Sequence, residues 1–193
     1  MAETPDASKR DLLLAAALDE FAEHGGGGAR IDRLAKRAGV SAGLVYSYFD
    51  GKNGLFEAVY DAIVDQTTEA VPFTGDDLPE YAGRLYDASL THPAVLRFVS
   101  WYALERGSDD NVPEAVRASM RDKVAAVEDA QRRGAVTDRF TAGQLLALTL
   151  TAANMWQREG DGVRSLVPPE LRRETVVAAV RTLTAPAVSG AVG

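Results

Sequence analysis

Apolar side chains recur along this chain at helical spacing, and no run alternates strictly between apolar and polar. Between Lys9 and His24, Leu14, Leu18 and Phe21 fall at i, i+4 and i+7, and Leu13 and Ala17 widen the stripe. Ser8 stands where a helix cap is wanted. Ile31, Leu34, Ala35 and Ala38 share one face of a second, shorter helix, which Gly39 ends. Ser41 is placed to cap a third, in which Val45, Tyr48 and Phe49 point inward and Ala42, Gly43, Tyr46 and Ser47 face out. A fourth helix runs from about Lys52 to Val71 on Leu55, Val59, Ala62 and Ile63. Further helices are predicted over Glu80–Thr91, Pro93–Arg106, Pro113–Arg133, Phe140–Gln157 and Pro169–Thr184. The fold class is therefore all-α. The breaker-rich segment from Pro72 to Pro79 and the polar stretches Gly107–Val112 and Arg158–Pro168 read as loops. Met1–Ala7 and Ala185–Gly193 read as frayed tails.

The arrangement from Arg30 to Lys52, two short helices around a glycine-bearing turn, is the layout of a DNA-binding helix-turn-helix. Charge agrees locally. Arg30, Arg33, Lys36, Arg37 and Lys52 stand against Asp32 and Asp50, a net +3 within a chain of net charge −7. A basic island on an acidic protein suits phosphate contact. Solvated helix faces also carry such runs, so charge alone does not decide.

Composition sets the outer limits. The 193 residues, 46% hydrophobic and 25% charged, suit one compact body or two small ones. With no cysteine, disulfides and thiolate metal sites are excluded. Met1 to Asp11 lacks the apolar segment of a signal peptide, and no window reaches ~18 uninterrupted apolar residues, so a cytoplasmic protein is expected. Catalysis is not expected. The two histidines, His24 and His92, have no ligand spacing, and the pairs Asp76–Asp77 and Asp109–Asp110 sit in loops. Nucleophile elbow, P-loop and dinucleotide fingerprints are absent, and no metal or cofactor is implied. The glycine run Gly25–Gly28 has neither the preceding strand nor the lysine of a phosphate loop. It reads as a helix end followed by a flexible hinge.

The N-terminal third resembles the DNA-binding domain of TetR-type transcriptional regulators. The matching residues are Ala16-Ala17-Leu18, Phe21 to Gly25, Ile31 to Ser41, Val45 to Phe49, Lys52 and Leu55-Phe56. A weaker likeness to the effector domains of that family covers His92 to Gly107. The resemblance implies a helical homodimer on double-stranded operator DNA, with a DNA-binding domain at 1–54 and a ligand-binding and dimerisation domain at 55–193. It implies release by a small effector, and a fourth helix that links the two domains. Arg30 stands where the family usually has Thr, bulkier residues usually replace Gly26–Gly28, and Asn53 and Gly54 replace an acidic pair, which predicts a looser first turn there.

Tyr46, Tyr48 and Lys52 match phosphate-contacting positions of the family, although the spacing of Tyr48 suits the core equally. Arg30, Ser41, Ala42, Gly43, Leu44 and Ser47 complete the expected groove-facing set. Only the serines and Arg30 among them hydrogen-bond through side chains, while Ala42 and Leu44 suit thymine methyls. In the second domain Phe73, Tyr81, Phe98, Trp101, Tyr102, Met120, Met155 and Trp156 form a candidate pocket for an apolar or aromatic effector, with Arg97 and Asn154 as polar selectors; a filled core explains any one of them as well. The last two long helices are apolar over more than one face. They are either core of a small bundle or, as the resemblance implies, the homodimer interface. The alternative function is a helical protein–protein adaptor, which predicts no salt-dependent DNA affinity.

Overall fold

The computed structural model describes residues 8–106 and 112–186; the expected tail at 1–7, all but Ala185 and Pro186 of the one at 185–193, and most of the 107–112 loop lie outside them. The described residues form helices and no strand. In chain order these are α1 (Lys9–Gly28), α2 (Ile31–Ala38), α3 (Gly43–Phe49), α4 (Lys52–Ala70), α5 (Leu78–Thr91), α6 (Pro93–Arg106), α7 (Glu114–Arg132), α8 (Ala142–Ala153), α9 (Met155–Arg158), α10 (Asp161–Arg164) and α11 (Pro169–Thr184). They fall into two compact units, residues 1–66 with 92–116 and residues 67–91 with 117–193.

In the first unit, α1 packs on α2 and on α6. Ser8 caps α1 by accepting the Asp11 amide at 3.2 Å. The apolar stripe of α1 delivers Leu13, Ala17 and Phe21 to a core with Leu34, Val45, Phe49, Leu55, Phe56, Phe98 and Tyr102. The Phe21 and Phe56 rings meet edge to face at 4.8 Å, and Tyr102 stacks on Phe56 at 5.2 Å. Such pairs add about 0.5–1.5 kcal/mol each beyond the area they bury.

In the second unit, α5, α8 and α11 pack on one another around Leu78, Ala82, Tyr86, Leu145, Trp156, Val176 and Val180. Thr141 and Gln144 form a capping box that starts α8. Arg173 of α11 reaches Glu80 at 2.6 Å and Asp87 at 2.8 Å, both on α5. The helix expected over Phe140–Gln157 is broken at Asn154, which adopts φ −106° and ψ 6° and donates its side-chain amide to the Leu150 carbonyl at 2.9 Å. The expected loop after it holds the short α10.

Gly75 is buried against the backbone of α7, where a Cβ would collide with the Ala126 carbonyl oxygen. Backbone has no rotamer with which to yield. Gly75→Ala is expected to lower the stability of the second unit by about 1–3 kcal/mol, read as a lower urea midpoint at unchanged slope.

Candidate nucleic-acid interface

The helix-turn-helix is built as the spacing demands. Leu34 and Ala35 of α2 and Val45 and Phe49 of α3 are buried and fix the two helices on α1. Gly39 closes α2 in the left-handed conformation, and the Val40 amide returns to the Ala35 carbonyl at 3.0 Å. Ser41 does not cap α3 with its side chain. Residue Ala42 occupies the cap position, and Ser41 contributes its backbone carbonyl, which accepts from the Leu44 amide at 3.1 Å. The hydroxyl of Ser41 is thereby left at the exposed end of the helix.

With Val45 and Phe49 inward, Tyr46 is 63% exposed and Tyr48 46% exposed, which settles Tyr48 on the solvent side. Ser41, Gly43 and Ser47 are exposed beside them, while Ala42 and Leu44 are half-buried. The Tyr46 ring lies over Gly51, 3.6 Å from where a Cβ there would stand. Gly54 sits with its Cα against the Phe49 carbonyl, so the first turn of α4 is tight rather than loose. The 19-residue α4 therefore begins beside the C-terminal end of α3.

The cations divide into two groups. Arg33 is held by Glu20 of α1, its Nη2 2.6 Å from Glu20 Oε1, and Arg37 pairs with Asp19 at 3.5 Å and Glu23 at 3.7 Å. Arg30 and Lys36 are exposed and make no ion pair among the described residues. Lys52 is half-buried and turns its ammonium onto the carbonyls of Gly27 at 3.4 Å and Ala29 at 3.3 Å. The local +3 of the sequence is thus partly cancelled by acids of α1, and Arg30 and Lys36 carry the free charge.

Two acids that spacing did not single out hold this unit together. Glu20 is fully buried and its Oε1 accepts from the Arg30 amide at 2.9 Å and from Arg33 Nε at 2.8 Å. Burial alone would raise its pKa. The Arg33 hydrogen bond, the Arg30 amide and the charges of Arg33 and His24 outweigh that and hold it below the ordinary glutamate value. Its signal was present in the sequence, an acid on the buried stripe one turn after Ala16 and Ala17. Glu105 of α6 has no local signal. Its Oε1 accepts from the amides of Gly26 at 2.8 Å and Gly27 at 3.4 Å, and Trp101 packs over Gly25. The glycine run is therefore no loose hinge. Gly25, at φ 67° and ψ 176°, breaks α1, and a Cβ on Gly26 would meet the Glu105 carboxylate.

The candidate pocket residues are divided between the units. Phe98 and Tyr102 are buried in the first core with Phe21 and Phe56, and Trp101 is 37% exposed. In the second unit Phe73 meets Tyr81 edge to face at 4.7 Å, Trp156 is buried and donates Nε1 to the Arg172 carbonyl at 3.2 Å, and Met120 and Met155 are half-buried. Arg97 is exposed, and the amide of Asn154 is spent on the α8 break.

A helix-turn-helix with a solvent-facing second helix, in a chain whose described residues are otherwise helical, defines the class of helical DNA-binding regulators. Comparison with known proteins gives the family. Residues 13–59 match the family described as bacterial regulatory proteins, tetR family, and residues 77–182 match the tetracyclin repressor-like C-terminal domain. The chain is 37% identical over 173 residues to the HTH-type transcriptional repressor SCO4008 of Streptomyces coelicolor, covering 89% of this chain and 85% of that protein. A 63-residue match to the regulator BetI of Klebsiella pneumoniae, at 44% identity, is confined to about a third of each chain. Among solved structures, the transcriptional regulator SCO4942 of Streptomyces coelicolor superposes with a TM-score of 0.81 at 33% identity, covering 92% of this chain and 98% of that one. A TetR-family regulator from Rhodococcus sp. superposes with a TM-score of 0.66 at 23% identity. The chain belongs to the TetR family of DNA-binding transcriptional regulators. None of its described helices is long and apolar enough to cross a membrane.

Proposed function

We propose that this chain is a repressor that binds a palindromic operator as a homodimer and is released by a small, largely apolar effector. Residues 1–54 serve as the DNA-binding domain and residues 55–193 as the effector and dimerisation domain. The observation that carries the reading is the exposed face of α3, where Tyr46, Ser47 and Tyr48 stand on a fully buried Val45 and a buried Phe49. Phenol and serine hydroxyls donate to phosphate oxygens and fix the helix in the major groove, while Arg30 adds a free charge at the start of α2. The repressor SCO4008, similar over most of its length, supports the sign of regulation.

Two half-sites require two copies. The outward face of α8 and α11 offers Leu148, 37% exposed, with Ala147, Ala178, Ala179 and Thr182, all small or apolar and suited to an isologous helix-on-helix contact. For the effector, Phe73, Tyr81, Met120, Met155 and Trp156 supply apolar lining within the second unit.

Selection of bound duplexes from a random pool tests the reading. Enrichment of a palindrome supports it, whereas weak, sequence-blind, salt-sensitive retention favours the adaptor alternative. On the selected operator, Tyr46→Phe is expected to weaken binding about ten-fold or more, because each half-site loses a hydroxyl donated to a charged acceptor, worth about 1.5–3 kcal/mol. Fluorescence anisotropy at fixed salt reads the loss, and unchanged affinity would remove Tyr46 from the contact set.

A further inference from the structure

The second unit holds a group of buried and half-buried donors whose cations meet no carboxylate among the described residues. Lys123 of α7 is only 9% exposed, and its Nζ donates to Ser119 Oγ and lies 5.8 Å from the centre of the Phe73 ring. Among the described residues no carboxylate lies within ion-pair distance of it, although Asp122 on the same helix acts on it from farther away. Two ammonium hydrogens and the Ser119 hydroxyl proton are left to donate. Tyr81, in edge contact with Phe73, is 2% exposed, and its hydroxyl donates to no residue among the described ones. One turn along α5, Arg84 gives Nη2 to the Pro72 carbonyl at 2.8 Å, while among the described residues its buried Nε has no partner and the guanidinium no carboxylate. Cations and hydroxyl donors thus bracket the Pro72–Phe73 segment, and among the described residues neither cation meets a carboxylate.

Buried charges are ordinarily paired, and buried donors ordinarily satisfied. We propose that Lys123, Arg84, Tyr81 and Ser119 form an anion-recognition site against Phe73, and that its ligand is an organic acid whose carboxylate meets these donors while an apolar body lies on Phe73 and Met120. This deepens the effector reading above and rests on it. It adds a charged head to an effector otherwise described as apolar. Burial depresses the Lys123 ammonium below the usual lysine value, with Asp122 offsetting part of this, and lifts the Tyr81 phenol to about 12 against the pull of Arg84. Both directions report the burial of the two groups.

Calorimetric titration of the full-length protein with 2-naphthoate and decanoate, each against its primary amide, tests the site. The acids are expected to bind at least ten-fold more tightly than the amides. Lys123→Met, Arg84→Gln and the double variant are expected to lose that preference while keeping their helical circular dichroism. Lys123→Met is also expected to melt no lower than the unliganded parent, since a thioether replaces an uncompensated cation. Equal binding of acid and amide, or no acid bound more tightly by the parent than by the double variant, overturns the site, and the absence of any heat counts among these outcomes. Operator affinity measured on the same preparations separates the two readings. Acid binding that leaves operator affinity unchanged keeps the site and overturns only ligand-controlled release.

Discussion

Glu20→Ala is expected to destabilise the first unit by about 2–3 kcal/mol, at the lower edge of the cost of breaking a buried ion pair. The substitution strips the Arg30 amide of its acceptor and Arg33 of its partner at once, and leaves a cavity on the buried side of α1. Arg33 is 44% exposed and recovers some hydration, which places the loss below that of a fully buried pair. Glu20→Gln retains an acceptor for the Arg30 amide and should cost about half as much. The pH dependence follows from the depressed carboxyl. A group whose folded pKa lies below its unfolded value stabilises fully above the unfolded value, here 4.5, and loses that contribution as pH falls through the lower folded value. The stability gap between the parent and Glu20→Gln should therefore be constant near neutrality and shrink below pH 4.5. Urea melts from pH 3 to 7 (approximately) measure it. A gap that widens on acidification would show that the Arg33 contact does not hold the carboxylate charged.

The second large effect concerns assembly. Leu148→Glu combined with Ala178→Glu places like charges on the outward face of α8 and α11 and across the proposed two-fold. The expected result is a folded monomer whose operator affinity falls by about 10³-fold or more, toward the non-specific range of roughly 10⁻⁴–10⁻⁶ M. The chemistry of each half-site is untouched, so the loss comes from having one recognition helix where two had acted together. Sedimentation and anisotropy on one preparation decide it. A variant that stays dimeric sinks the assignment of this face, and a monomer with undiminished operator affinity sinks the two-half-site reading.

Most helices were legible because each buries one stripe, and a stripe leaves its period in the sequence. The bounds of α6, Pro93 and Arg106, and of α11, Pro169 and Thr184, were read directly, and α5 was within two residues, because proline and polar residues punctuate those ends. The break at Asn154 was hidden, since Ala152, Ala153, Met155 and Trp156 carry the apolar pattern straight across it. The outward placement of Tyr46 was legible. Tyr48 was ambiguous because i+3 from Val45 meets the core or its edge according to a rotation of a few tens of degrees, and only packing fixes that rotation. The role of the glycine run was out of reach. Its partner Glu105 lies 79 residues from Gly26, and local propensity reports only the backbone freedom of the segment. Counting charge along Arg30–Lys52 likewise missed Asp19, Glu20 and Glu23, which α1 folds back onto Arg33 and Arg37. The absence of a carboxylate beside Lys123 and Arg84, among the described residues, is a property of what fails to meet in space, for which a linear sequence has no symbol.

Between Gly43 and Phe49, α3 carries no charged and no carboxamide side chain. On the proposed reading, the helix that enters the groove owns little of the chemistry that tells one base pair from another. The operator then stores its message in phase more than in letters. Inserting one base pair between half-sites turns them by roughly 35° about the duplex axis, an offset that two rigidly joined copies cannot follow. Related regulators sharing a genome could therefore diverge by altering the separation of their recognition helices while leaving the helices themselves unchanged.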